Sequence, residues 1–148
     1  MQKDFDMWNV KKKVLHQSVT YPFFHEREVW WCFLGANIGF EQDGSAEFVR
    51  PILVFKKFNN EVLWAMPLST KTKKGRFYSP VNLEDTIPRV VILSQLRLVD
   101  AKRLRDKVET ISEENYDTIR KAVIHLVMYD RSPSLSGPAK NGTEAEAV

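Results

Sequence analysis

Cysteine is nearly absent from this chain, since Cys32 is the single cysteine in a sequence of 148 residues. One thiol excludes a disulfide within the sequence and a metal site built from several cysteines, and we expect Cys32 to lie in the core. No apolar run approaches the roughly 18 residues of a membrane-spanning helix. The first residues also lack the basic and apolar segments of an export signal. We therefore expect a cytoplasmic protein that does not associate with membranes.

The motifs of common phosphate-binding and metal-dependent enzymes are missing as well. There is no Gly-Lys-Ser/Thr phosphate loop, no His-Glu-x-x-His helix and no cluster of acids at metal-ligand spacing. The histidines are scattered along the chain, and we expect each to be incidental to function: His16, His25 and His125. These absences argue against metal-dependent chemistry, and we expect no cofactor.

The chain has little excess of charge, with a formal net charge of +3 at pH 7. This balance is compatible with a polyanionic partner but does not require one. The position of the positive charges is more informative, because four of them share one short segment: Lys71, Lys73, Lys74 and Arg76. Such a segment suits nucleic-acid contact, although a solvated loop would have the same composition.

The spacing of apolar residues predicts short strands between two helices. Asp4–Gln17 has the periodicity of an amphipathic helix, and a second helix begins at Ser112, whose hydroxyl can cap it. Strands are predicted at Glu28–Leu34, Phe48–Phe58 and Val62–Leu68 and around Phe77–Asn82, and the run Val90–Val99 is too apolar to lie at the surface. The strands do not alternate with helices, which excludes a parallel α/β sheet. We expect a mainly β fold with helices (α+β), in which a small, strongly bent antiparallel sheet or barrel carries a helix at each end.

These elements divide the chain into three parts. Residues 1–21 form a helical extension, and residues 22–130 form the barrel domain with its C-terminal helix. The tail, 131–148, is rich in Ser, Pro, Gly and Ala and has too few apolar residues to pack, so we expect it to be disordered.

Two strand ends carry polar residues that could act together. Arg50 lies near the start of the second predicted strand, and Ser69 and Thr70 follow the end of the third. If these strands pair as a hairpin through Asn59-Asn60, Arg50 and Ser69 lie at the same end of the sheet. A guanidinium fork beside hydroxyl groups suits a phosphate. On these residues alone, a surface arginine near a Ser-Thr turn remains the simpler interpretation.

Four segments occur in a characteristic order. They are Glu28-Val-Trp-Trp-Cys-Phe-Leu-Gly with Asn37-Ile-Gly-Phe-Glu-Gln-Asp-Gly, Arg50-Pro-Ile-Leu-Val, Met66-Pro-Leu-Ser-Thr, and Ser94-Gln-Leu-Arg-Leu-Val-Asp. In this order they resemble the first strand and loop, the Arg-Pro strand, the Pro-Leu-Thr-Ser signature and the Gln-x-Arg-x-x-Asp segment of MazF/PemK-family toxins. The resemblance runs from about Glu28 to Val127.

The resemblance implies a barrel toxin of a type II toxin-antitoxin system, acting as a homodimer and restrained by a cognate antitoxin. Such a toxin cuts single-stranded RNA without a metal: the ribose 2′-hydroxyl attacks the adjacent phosphate and leaves a 2′,3′-cyclic phosphate and a 5′-hydroxyl. The site must deprotonate one oxygen, protonate the other and hold the charge that develops on the phosphorane.

The resemblance also assigns roles to single residues. Arg50 matches the family's catalytic arginine and would stabilise the phosphorane, with proton donation as a further candidate role. Ser69 stands where the family usually has threonine, Thr70 takes the neighbouring position, and Glu41 matches a family acid that could act as base. We expect RNA contacts from Gln42, Lys71, Lys73, Lys74 and Arg76, and dimer-interface positions at Gln95 and Arg97.

Two departures from the family pattern keep other functions open. Phe40 replaces a histidine of PemK-like members, and Ser94 replaces an acid, so two candidate proton-transfer groups are absent. One alternative is a toxin of the same fold that acts by binding a protein, as gyrase inhibitors do; the trio Arg50, Ser69 and Thr70 argues against it. The other alternative is an inactive regulatory homologue.

Overall fold

The computed structural model describes residues 2–129, so the tail predicted to be disordered (131–148) lies outside the described residues. The elements are helix α1 (Phe5–His16), strands β1 (Glu28–Phe33), β2 (Val49–Lys57), β3 (Val62–Ser69), β4 (Tyr78–Val81), β5 (Arg89–Ile92), β6 (Arg97–Asp100) and β7 (Leu104–Thr110), and helix α2 (Glu113–Met128). Among the described residues, no helix combines the length and the apolar character needed to cross a membrane.

Strand β3 gives the sheet its bend. One of its edges pairs antiparallel with β2 in a ladder that begins at Ile52 and Pro67. Along its other edge, Val62–Ala65 pair with β6, whereas Leu68 and Ser69 pair with β5. The strand order is β4-β5-β3-β2-β1-β7, with β6 beside β3. This bent antiparallel sheet with a helix at each end of the chain confirms the predicted fold class.

The central strands β1 to β3 are buried on both faces. One face packs beneath α2, where Val29, Leu53 and Met66 belong to the same cluster as Ile119 and Val123. The side chains that alternate with these form a second cluster, which includes Trp30, Cys32, Ile52, Val54 and Ala65. Burial on both faces explains why these strands have nearly continuous apolar sequences. The predicted place of Cys32 in the core is confirmed.

Helix α1 packs on the sheet mainly through one tryptophan, Trp8. Its start is capped by Asp4, whose carboxylate accepts a hydrogen bond from the Met7 amide at 3.0 Å. Trp8 is 4% exposed and shares a cluster with Phe33. Its indole lies against Gly35, where an added Cβ would fall 2.0 Å from the ring and where φ is +83°. Only glycine fits both the close approach and the left-handed backbone at this position.

Three details differ from the sequence-based expectation. The run Val90–Val99 is not one element, since β5 ends at Ile92 and a short 3₁₀ turn precedes β6. Strand β7 was not anticipated, because this strand at the sheet edge is mostly exposed and rich in charged residues. The apolar periodicity of the second helix predicts a buried stripe that includes Val127, but Val127 is 76% exposed, because the contacts of the helix with the core end at Leu126.

A buried carboxylate holds the first strand in place. Glu28 is 5% exposed. Its oxygens accept hydrogen bonds from the His25 amide at 2.7 Å and the Trp30 indole at 3.0 Å, and Lys107 Nζ lies 3.1 Å away. Burial raises the pKa of Glu28, but these donors outweigh burial and hold the pKa below its ordinary value. The carboxylate is therefore more stable in the folded chain than in the unfolded one.

We expect Glu28→Gln to lower the free energy of unfolding at pH 7 by about 1–3 kcal/mol, because the amide cannot accept all of these bonds. Since the folded-state pKa is depressed, the stabilisation by Glu28 is complete above the unfolded value of about 4.3 and is lost as the pH falls through the folded-state value. Urea unfolding at pH 7 and pH 3 measures both effects. The exposed Glu61→Gln serves as control, and a Glu28→Gln deficit as large at pH 3 as at pH 7 would contradict the account.

Candidate functional site

Arg50 is fixed at the start of β2 by two backbone carbonyls. Its Nε donates to the Asp43 carbonyl at 2.7 Å, and its Nη1 donates to the Leu68 carbonyl at 3.2 Å. Burial lowers the pKa of Arg50, and the negative charge of Asp43 opposes this shift. Among residues 2–129, the Nη2 group has no acceptor. The guanidinium, which stays charged at neutral pH, is thus held rigidly with one amino group left for a ligand.

The hydroxyl residues lie beside this arginine, at the end of β3. The β2–β3 ladder begins at Ile52 and Pro67, and Arg50 and Ser69 lie two residues beyond it at the same end of the sheet. Ser69 Oγ accepts a hydrogen bond from the Lys71 amide at 3.1 Å. This bond turns the chain after β3 and leaves the hydroxyl hydrogen free to donate. The hairpin geometry therefore produces the juxtaposition that the sequence predicts.

Both strand ends open into one cavity of about 400 Å³. Seven of the residues expected to act in catalysis or RNA contact line it: Glu41, Gln42, Arg50, Ser69, Thr70, Lys71 and Lys73. Lys74 and Arg76 belong to the same exposed segment but do not line the cavity. The Arg76 guanidinium lies 4.6 Å from the centre of the Phe77 ring. The cavity thus collects an acid, hydroxyls and cations from three separate segments.

The loop after β1 forms the opposite wall of this cavity. The Asp43 carboxylate accepts a hydrogen bond from the Asn37 amide at 2.6 Å, and the Asn37 side chain donates to the Gln42 carbonyl at 2.9 Å. Glu41 accepts one from the Ile38 amide at 2.9 Å. These bonds close residues 37–43 into a compact loop and place the Glu41 carboxylate at the rim.

Gln95 holds the same loop from the other side. Its Oε1 accepts from the Gln42 amide at 3.1 Å, and its Nε2 donates to the Phe40 carbonyl at 3.0 Å. Gln95 and Arg97 also line a second cavity of about 300 Å³, together with Glu41 and Gln42. The structure thus gives Gln95 a contact with residues 37–43 (the site loop), while the dimer-interface role of Gln95 and Arg97 stays a prediction.

Tyr78 and Lys3 are among the lining residues that the sequence does not mark as site residues. Tyr78 lies at the start of β4, close in sequence to the basic segment, and nothing in its strand pattern marks it as a site residue. Lys3 precedes α1, and its place in the lining depends on how that helix docks. A tertiary arrangement of this kind leaves no local signal in the sequence.

Solved structures share this architecture. The chain is similar to an endoribonuclease from a mycobacterial species in complex with its cognate antitoxin, with a TM-score of 0.57 and 14% identity, covering 71% of this chain and 95% of that chain. It is also similar to MazF from Deinococcus radiodurans, with a TM-score of 0.56 and 18% identity, covering 73% and 97%. At these identities the likeness is one of fold. A comparison with curated protein sequences finds no match.

The family comparison is more specific than the structural one. Residues 25–127 match the model of the PemK-like, MazF-like toxins of type II toxin-antitoxin systems. The chain belongs to this toxin family. The match includes the loop 37–43, Arg50 and Ser69, and it begins after α1.

Proposed function

We propose that this chain is the toxin of a type II toxin-antitoxin system and a metal-independent endoribonuclease that cuts single-stranded RNA. The observation that carries the proposal is the position of Arg50, which two carbonyls hold beside Ser69 in one cavity. A fixed guanidinium fork with an adjacent hydroxyl can bind two oxygens of one phosphodiester. The likeness to solved endoribonucleases and the family membership support the same activity.

The reaction needs one bond to form and one to break at the same phosphorus. The ribose 2′-oxygen attacks the phosphorus, its proton passes to a base, and the bond to the 5′-oxygen breaks as that oxygen takes up a proton. We assign the base to Glu41 at the cavity rim. Arg50 neutralises the charge of the phosphorane, and Ser69 and Thr70 donate to its non-bridging oxygens.

The surroundings of the cavity would bind the rest of the RNA. Lys71 and Lys73 line the cavity, and Lys74 and Arg76 continue the exposed cationic segment. Such a track binds the backbone of a single strand. Gln42, whose backbone Gln95 holds, would contact the RNA next to the cut. We further propose that the chain forms a cytoplasmic homodimer. Its antitoxin would cover the cavity and the cationic segment with a flexible acidic segment of its own.

Incubation of the purified protein with a mixed single-stranded RNA in excess EDTA should give cleavage at the rate found without EDTA. The physical reason is that protein cations, and no metal ion, offset the phosphorane charge. The products should carry 2′,3′-cyclic phosphate and 5′-hydroxyl ends, which mass spectrometry of the fragments identifies. The same RNA with a 2′-deoxy residue at the cut position is the matched control and should stay intact.

Two outcomes would reject the assignment. No cleavage under any condition, combined with inhibition of DNA supercoiling by gyrase, would favour a toxin that acts through protein binding. Cleavage that EDTA abolishes would show that the cavity works with a metal ion.

A further inference from the structure

Lys3 belongs to the cavity wall although it lies outside the family match. The match begins at residue 25, whereas Lys3 lies on the N-terminal side of α1. Its side chain is only 13% exposed. A lysine buried to this degree normally has acceptors for its ammonium group.

Three acceptors surround the Lys3 ammonium group, and all of them belong to the site loop. Nζ donates to the Asn37 carbonyl at 2.7 Å and to the Gly39 carbonyl at 2.8 Å. It lies 2.9 Å from Asp43 Oδ2. An ammonium group has three N–H donors, so these contacts use its full capacity. Lys3 thus ties the two ends of the loop to each other and has no donor left for a substrate.

One residue of the site loop, Asp43, connects Lys3 to Arg50. Asp43 accepts the bond from Lys3 on one carboxylate oxygen and the bond from the Asn37 amide on the other. The backbone carbonyl of the same Asp43 accepts the 2.7 Å hydrogen bond from Arg50 Nε. One residue therefore joins the buried lysine to the arginine assigned to the phosphate.

The docking of α1 fixes where Lys3 can reach. Asp4 caps the helix directly after Lys3, and Trp8 anchors the first turns against Gly35, two residues before Asn37. The N-terminal extension therefore makes two contacts with this part of the chain, Trp8 against Gly35 and Lys3 against the site loop.

We propose that Lys3 is a positioning residue which the N-terminal extension supplies to the active site. It holds Asp43 so that the carbonyl of Asp43 orients Arg50, and it neutralises a carboxylate that would otherwise repel the phosphate. This inference rests on the proposed ribonuclease function only in its kinetic consequence, because the effect on Arg50 exists in the free protein.

The first test replaces the lysine and observes Arg50 directly. In Lys3→Met, we expect the Arg50 Nε–H resonance in the NMR spectrum of the free protein to shift and its exchange with water to accelerate by at least about tenfold. The kcat for RNA cleavage should fall by about tenfold to a hundredfold, by analogy with the loss of partners that orient metal-ligating side chains. Lys13→Met is the matched control, since Lys13 is exposed on the same extension.

A chemical rescue separates the ammonium group from the packing of its stem. Lys3→Cys should show the same losses, and alkylation with bromoethylamine should restore at least half of the lost rate by rebuilding a lysine-like side chain. Cys32 does not interfere, because it is fully buried and burial raises its pKa to about 12. Wild-type protein treated with the same reagent is the control.

The outcomes are distinct from those of the ribonuclease test. If wild-type protein cuts no RNA, the proposed function fails, while the Arg50 resonance still decides the role of Lys3. A Lys3→Met variant with an unchanged Arg50 resonance, even if its melting temperature drops, would make Lys3 a structural anchor and overturn the proposal. Failure of aminoethylation to restore RNA cleavage by the Lys3→Cys variant would also overturn the proposal.

Discussion

Arg50→Ala should reduce RNA cleavage by about a thousandfold, the upper end of the loss seen when a charge-stabilising donor is removed from an active site. The guanidinium is held by carbonyls on both walls of the cavity, so no other side chain can take its place without rearrangement. Single-turnover kinetics with excess enzyme measure the loss in the chemical step. Because Arg50 is only half-buried, we expect Arg50→Ala to change the free energy of unfolding only modestly.

Two further variants define what Arg50 contributes. Arg50→Lys keeps the charge but loses the planar fork, and its rate should lie between those of the parent and the alanine variant. Arg120→Ala removes an equal charge from an arginine on α2 whose carboxylate partner is Asp117, and it should cleave like the parent. Equal cleavage by Arg50→Ala and the parent would remove Arg50 from its assigned role.

Ser69→Ala should cost about 2–4 kcal/mol of transition-state stabilisation, by analogy with the loss of one oxyanion-hole donor. The hydroxyl lies at the strand end beside Arg50, and its oxygen already accepts a hydrogen bond from the Lys71 amide, so its hydrogen is free to donate to a phosphate oxygen. The comparison of kcat/KM between variant and parent, on one RNA of defined sequence, measures this loss.

The control for this variant restores the residue usual in the family. Ser69→Thr keeps the hydroxyl and adds a methyl group that stiffens the rotamer, so it should cleave at least as fast as the parent. A drop of less than threefold in Ser69→Ala would instead assign the phosphate contact to Thr70.

The sequence predicts the central part of this site because a hairpin imposes it. The Asn59-Asn60 turn between two apolar runs fixes β2 against β3, and the strand ends far from a turn must then be neighbours. The pairing of Arg50 with Ser69 therefore follows from the order of residues along the chain. The split of Val90–Val99 into two strands was not predictable, since β3 pairs with both through a bend that local composition does not encode.

The wall formed by the loop shows the limit of sequence reasoning. Its Asn37–Asp43 segment has the polar and glycine residues of any surface loop, yet Gln95 and Lys3 hold it from positions distant in sequence. Neither contact follows from periodicity or spacing. Bonds within the loop close it, but its place as a cavity wall depends on Gln95, which lies between β5 and β6, and on Lys3, which lies before α1, so this placement is a property of the tertiary fold.

The central claim is that Arg50 and Ser69 share one backbone phosphate of an RNA strand. A crystal structure with an RNA carrying a 2′-O-methyl group at the cut position tests it, because this RNA can bind but cannot attack its own phosphate. We expect a non-bridging oxygen within about 2.7–3.2 Å of both Arg50 Nη2 and Ser69 Oγ. An RNA bound along another face, with both groups left in contact with water, would contradict the account.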